Sequence, residues 1–506
     1  MRLVKALLVA AAAALGGAAR ADVKPHPIFA DHMVLQQGVD VVVWGKADAN
    51  EYVEVKLEHR TATGGSGITG GRTADEKGNW SVNLGKKEAG TGYTLKIKGK
   101  NNTVEFKNVA VGEVWVCSGQ SNMQWEFWRL TRDDQGKKVS AAAKNPNIRL
   151  FTMLRHTATT PQEEFPVRSE PRGKDGAVAH YGKWLECEPA AVMEFSAVAY
   201  YFGRDLEKAL KVPVGLVVTS WGGMPCEAYT SLEALDAEPG LKHYADRARA
   251  AAKKFEEDKK PAPPNTPTVL YNAMTHPLVK FPVRGAIWYQ GESNAGRAYE
   301  YRTLYPTMIK DWRARWKTEL PFVGVQLAPF QGGKSGVDYA ELRDAQLHAT
   351  KVLPKVGVAV ITDAGDEKDI HPQQKEPVGQ RLALNARALA YGEKIVYSGP
   401  VFKEAKFAGG AATVTFDHVG GGLVAKDGDP VGFAVAGKDG VFHPAKATIK
   451  GDAVVATSEH VPDPVAVRYG WVNFARPTLN LFNKEGLPAT PFRSDDFPLT
   501  TAPKKD

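Results

Sequence analysis

Short alternating or apolar runs open the chain. Asp40–Trp44, Tyr52–Leu57, Trp80–Leu84 and Tyr93–Ile97 are separated by turns rich in Gly, Asn and Asp, such as Lys77-Gly78-Asn79. Runs of that length, bounded in that way, predict half-buried strands. From Asp22 to about Ala110 they predict a small β-sandwich, the simplest way for such strands to cover their apolar faces.

The pattern changes near Val114. Apolar runs at Val114–Cys117, Pro213–Thr219, Gly285–Tyr289, Pro321–Leu327 and Val356–Ile361 now alternate with helix-like segments, among them Ala197–Leu210 and Tyr305–Trp316. Strands apolar on both faces, interleaved with helices, predict a parallel sheet covered by helices. Lys253–Asn265 is charged and proline-rich, which predicts an exposed excursion. From about Ile395 strand patterns return with many glycines, as in Ala411–Phe416, Gly421–Ala425 and Ala466–Val472. The chain thus divides into a leader (1–21), an N-terminal β-sandwich (22–110), an α/β domain (111–394) and a C-terminal β-rich region (395–506).

The leader sets the compartment. Arg2 and Lys5 precede an apolar run from Ala6 to Leu15, and Ala19-Arg20-Ala21 has the small-x-small form of a cleavage site. This is the plan of a secretory signal peptide. Its apolar run falls well short of the roughly 20 residues needed to span a bilayer. The expectation is a secreted or periplasmic protein with no membrane attachment after the leader is removed. The formal charge of +8 includes three residues of that leader, and the remaining basic residues are scattered among acidic ones. No concentrated stripe suggests a nucleic-acid partner. Cys117, Cys187 and Cys226 are odd in number, compatible with one bridge and a free thiol or with three buried small hydrophobes. None has metal-ligand spacing, so no metal site is expected.

Candidate chemistry lies where strands run out into loops, as it does at the edge of open α/β sheets. In Trp115–Met123 a strand ends in Ser118-Gly119-Gln120-Ser121, which places Ser121 near the first turn of a helix. Free N–H groups there favour a developing oxyanion, although serine is also a common N-cap. Thr362–Pro372 carries His371 with Asp363, Asp366 and Asp369 close by. A catalytic histidine needs a carboxylate to orient it. Asp369, two residues earlier, suits this role, and Asp366 competes for it. In Trp288–Ala295, Gln290 and Asn294 supply neutral amides able to stabilise an oxyanion. The turn Ser220–Pro225 has two glycines whose backbone can approach a ligand closely.

Together these segments resemble the SGNH hydrolase superfamily and, within it, the sialate O-acetylesterase family. The resemblance rests on Gly119–Met123, Phe195–Phe202, Leu270–Met274, Trp288–Asn294, Asp369–Pro372 and Gly379–Ala383, and so covers most of the chain. It implies an α/β fold: an SGNH, flavodoxin-like α/β/α sandwich with a parallel sheet. It also implies a serine esterase that removes acetyl groups from O-acetylated carbohydrates, with Ser121 as nucleophile and His371 as base, chemistry that calls for no cofactor. The implied oxyanion donors are the N–H of Ser121, the N–H of Gly222 or Gly223, and the amide of Gln290, with Asn294 as the alternative. One departure stands out: the superfamily aspartate usually lies three residues before the histidine, where this chain has Lys368. Trp221, Trp288 and Tyr289 are candidates for stacking on the sugar, and Arg297 and Arg343 for binding a sialate carboxylate. The competing readings are an acetylxylan or xyloglucan type of esterase and a non-catalytic carbohydrate-binding protein on the same scaffold.

Overall fold

The computed structural model describes residues 22–61, 64–131, 134–172 and 177–503, so the leader lies outside the described residues. One strand organises everything else. Thr103–Gly119 is 17 residues long, and its exposure alternates up to Asn108 before every residue from Val109 onward is buried. Its first half is half-covered, as one layer of a sandwich requires. Its second half is the centre of a sheet covered on both faces.

The N-terminal strands form two sheets. Strands 24–25, 40–46 and 79–86 make one, while in the other 64–73 pairs with 52–61, 52–61 with 90–98, and 90–98 with the first half of 103–119. Val43, Trp80 and Val82 of the first meet Val55, Leu57 and Ile97 of the second in a shared core. That core continues beneath the next domain, where Phe281 packs against Phe29, Trp44 and Trp184.

The second half of 103–119 lies in a sheet ordered 184–187, 145–152, 214–218, 103–119, 285–289, 322–325, 356–359. Six of these strands are parallel. The expectation of a purely parallel sheet needs correction, because Trp184–Cys187 pairs antiparallel with 145–152 at the edge. The whole sheet, continuous with the N-terminal strands, is therefore mixed. Helices cover both faces of its central part, and successive residues of the central strand enter opposite cores. Val114 and Val116 pack with Tyr305, Met308 and Trp312 of helix Ala298–Trp316. Trp115 and Cys117 pack with Val198 and Phe202 of helix Ala197–Leu210 and with Leu382 of helix Glu376–Tyr391.

Lys253–Asn265 is not wholly an excursion, since helix Lys242–Asp258 runs into it before the proline-rich exposed stretch begins. Cys117, Cys187 and Cys226 are free and buried. The C-terminal strands close on a separate core that includes Val414, Val435, Val454 and Phe492. This region docks through Asn473, whose side chain receives the Tyr339 N–H at 2.9 Å and donates to Asp338 at 2.8 Å. Among the described residues no helix is long and apolar enough to cross a membrane.

Candidate active site

From the central strand the chain passes first to neighbours on one side, 145–152 and 214–218, and later to 285–289 on the other. The loops following 103–119 and 285–289 therefore diverge at a topological switch point, where open α/β sheets form their crevice. Gly119 makes the exit possible. Its φ is +136°, and a Cβ there would stand 2.1 Å from the Tyr289 carbonyl oxygen. Only glycine fits so close a strand in that conformation. The next residue, Gln120, donates its N–H to the Tyr289 carbonyl at 2.9 Å, and Trp221 donates its N–H to the Gly119 carbonyl at 3.1 Å. Three loops are thereby tied together.

Ser121 begins the one-turn helix Ser121–Gln124. His371 comes to it from the loop beyond 356–359, with Nε2 2.9 Å from Ser121 Oγ although 250 residues separate them. The imidazole lies flat on Trp125, centroids 4.6 Å apart and planes 20° from parallel. Burial, with the positive charges of Lys375 and Arg129, holds its pKa below the ordinary value, and Asp369 opposes this.

The three aspartates separate cleanly. Asp363 is paired with Arg381 at 2.6 and 2.8 Å. Asp366 accepts the backbone N–H groups of Lys368 and Asp369 at 2.8 and 2.9 Å, which lowers its pKa and shapes the turn. Asp369 alone approaches the imidazole, with Oδ1 3.7 Å from Nδ1, and the same oxygen accepts the His371 backbone N–H at 2.8 Å.

Gly222 lies against the serine: a Cβ on it would stand 3.3 Å from Ser121 Cβ. Its N–H donates to Gln124 Oε1 at 2.8 Å. Gly223, exposed and at φ +76°, follows in the same turn. Gln290 and Asn294 are brought near this turn but face inward. Gln290 Nε2 donates to Asn294 Oδ1 at 2.6 Å, and Asn294 Nδ2 donates to Glu227 at 2.9 Å. Both amides are fully buried.

The aromatic expectations need correction. Trp288 and Tyr289 are 0% exposed, and Trp288 packs among Tyr229, Trp312 and Phe322. They belong to the core, and Trp221, half-buried, is the candidate left at the surface. Arg343 is likewise unsuited to a ligand carboxylate, because it is buried and donates to the carbonyls of Leu327, Ala328, Val472 and Asn473. Arg297 is paired with Glu227 at 2.8 Å. An open cleft of about 330 Å³ starts at Gly223 and Ser293 and is walled by Glu227, Arg247 and Arg297.

Sequence reasoning missed Trp125, Gln124 and a buried polar group beneath the serine formed by Asn122, Glu292 and Lys375. Trp125 and Lys375 stand four residues after Ser121 and His371, and that shared spacing was the one signal available.

A family model described as "Carbohydrate esterase, sialic acid-specific acetylesterase" matches residues 111–387, more than half the chain. This chain belongs to that family. It is an esterase. Sialate O-acetylesterase from Rattus norvegicus is 30% identical to it over 423 residues, covering 74% of this chain and 75% of that one. The Homo sapiens sialate O-acetylesterase is 30% identical over 399 residues, with 73% and 71% covered. A crystal structure of a carbohydrate acetylesterase from Xanthomonas citri superposes with a TM-score of 0.82 at 37% identity, covering 94% of this chain and all of that one. The family match contains every loop of the candidate site described above. The structural likeness extends further, over most of the flanking β regions.

Proposed function

We propose that this esterase is a secreted carbohydrate O-acetylesterase of the sialate O-acetylesterase type, working through an acyl-enzyme on Ser121. The observation that carries the reading is the 2.9 Å contact between Ser121 Oγ and His371 Nε2 at the sheet's switch point. The strand order around it supports the SGNH, flavodoxin-like reading. The leader's composition supports export.

With the imidazole neutral and its proton on Nδ1, Ser121 Oγ donates to Nε2 and becomes a nucleophile as that proton transfers. Oγ bonds to the acetyl carbon, and the carbonyl oxygen takes the negative charge. The tetrahedral intermediate collapses as the sugar oxygen departs with the proton from His371. Water then attacks the acetyl-serine, giving a proton to His371; the second intermediate collapses as the bond to Ser121 Oγ breaks, Oγ takes that proton back from Nε2, and acetate leaves. Asp369, beside Nδ1, stabilises the imidazolium between these steps.

The Ser121 and Gly222 N–H groups are the oxyanion donors this geometry favours, with Gly223 next in the same turn. The acetyl oxygen replaces Gln124 Oε1 on Gly222. Gln290 and Asn294, committed to internal partners, brace the loop. Each oxyanion donor is worth about 2.7–4 kcal/mol in comparable acyl transfers. The flanking β regions brace the α/β domain, one through a shared strand and the other through Asn473 and through Arg476, which pairs with Glu367 in the histidine loop.

A neutral acetylated glycan is the second reading for the substrate. It is favoured by the engagement of Arg297 and Arg343, the two arginines first considered for a sialate carboxylate. Acetate release from acetylated xylan and from O-acetylated sialic acid, measured side by side, decides between the two. Release from xylan alone would overturn the sialate reading.

A further inference from the structure

Beneath the serine lies an ammonium group that acyl transfer does not require. Lys375 is 1% exposed. Its Nζ donates to Asn122 Oδ1, and it lies 5.5 Å from the centre of the Trp125 ring and 5.6 Å from that of Tyr289. Burying an unpaired ammonium carries a heavy desolvation penalty. Here burial pulls its pKa down to about 7, against the opposing pull of Glu292 and Asp369.

Asn122 shows what this arrangement holds together. It adjoins Ser121 in the chain and is fully buried. Its Nδ2 donates to Glu292 Oε1 at 2.6 Å and to the carbonyl of Ile370, the residue before His371, at 3.0 Å. One amide thus joins the serine turn to the histidine loop, and Lys375 fills that amide's acceptor. Glu292 Oε2 is buried without a hydrogen-bond partner, and burial raises the carboxyl's pKa.

We propose that Lys375 is a positioning residue of this site: through Asn122 it fixes Ser121 against His371, and it keeps a positive charge beside the imidazole. The inference rests on the Ser121–His371 reading. The charged groups around the imidazole are Asp369 and Lys375 from its own loop and Arg129 from the serine segment; Arg129 is itself paired with Glu126 at 2.8 Å. Glu292 faces Lys375 from the third loop. Below neutral pH Lys375 carries its proton, so its charge opposes protonation of His371 where the base would otherwise be lost.

The test is the pH profile of kcat/KM on p-nitrophenyl acetate for wild type, Lys375→Met and Ser121→Ala. Lys375→Met is expected to lower kcat on the order of a hundredfold through misplacement, with KM little changed. It should also move the acid limb up by about half a pH unit or more, since a neighbouring positive charge has gone. A loss of rate with an unmoved limb would reduce Lys375 to a structural role and overturn the proposal. Undiminished hydrolysis by Ser121→Ala would instead overturn the underlying mechanism. Should Lys375→Met fail to fold, Lys375→Gln is read in its place: it removes the charge but can still donate to Asn122 Oδ1, so its acid limb should move up in the same way, and an unmoved limb contradicts the proposal.

Discussion

Asp369 Oδ1 lies 3.7 Å from His371 Nδ1 but accepts the backbone N–H of the same histidine at 2.8 Å. The carboxylate therefore shapes the turn that presents the imidazole and acts on the ring mainly through its charge. Asp369 precedes the histidine by two residues, and a backbone contact two residues on is a geometry that such spacing readily gives.

Neutralising that carboxylate should consequently be mild. Asp369→Asn is expected to lower kcat by about tenfold, far less than the roughly 10⁴-fold loss when the tightly bonded aspartate of a serine protease is replaced by asparagine. His371→Ala should lose on the order of 10²–10⁴-fold. Steady-state kinetics on p-nitrophenyl acetate checks the ordering, and equal losses in the two variants would contradict it.

What the carboxylate does not hold, Trp125 does. Its ring stacks on the imidazole at 4.6 Å and also carries the Arg129 guanidinium at 4.8 Å. Trp125→Leu removes that platform and is expected to lower kcat about two- to tenfold, the range for an aromatic pair worth roughly 0.5–1.5 kcal/mol. Trp125→Phe should recover most of the loss. No rescue by Phe would mean that the ring's face is not what positions His371.

The pH dependence follows from the lowered pKa of His371. Protonation removes the acceptor for the serine proton, so kcat/KM falls as pH drops through that pKa. Because burial first, then Lys375 and Arg129, hold the pKa under 6.5, full activity should persist into mildly acidic solution. A profile already declining above pH 7 would contradict this assignment.

Stability gives an independent check at Gly119. Adding a methyl group there places it 2.1 Å from the Tyr289 carbonyl oxygen at a φ of +136°. Gly119→Ala is expected to destabilise the fold by about 1–3 kcal/mol or more, read as a lower Tm with reduced activity. An unchanged Tm would show that the strand exit is looser than described.

Much of this was legible in the sequence because the signals are local. Each apolar run followed by a polar loop marked a strand end, so Ser121 and His371 could be assigned to one edge of a sheet. The choice of Asp369 over Asp366 rests on spacing alone, since the three aspartates of this loop look alike until Arg381 claims Asp363 and two backbone N–H groups claim Asp366. Trp288 and Tyr289 misled because a strand buried on both faces gives its aromatics no polar neighbours to mark which way they point. The edge strand Trp184–Cys187, four residues long, is too short to show a period. The contact between Asn122 and Lys375 spans 253 residues and leaves no pattern in either segment.

The most direct test of the central claim is acetate release from acetylated xylan and O-acetylated sialic acid by wild type and by Ser121→Ala. The account predicts release from at least one substrate by the wild type and its abolition in the variant, with unchanged Tm. Equal release by Ser121→Ala would contradict it, removing Ser121 from the chemistry and leaving its contact with His371 a structural one.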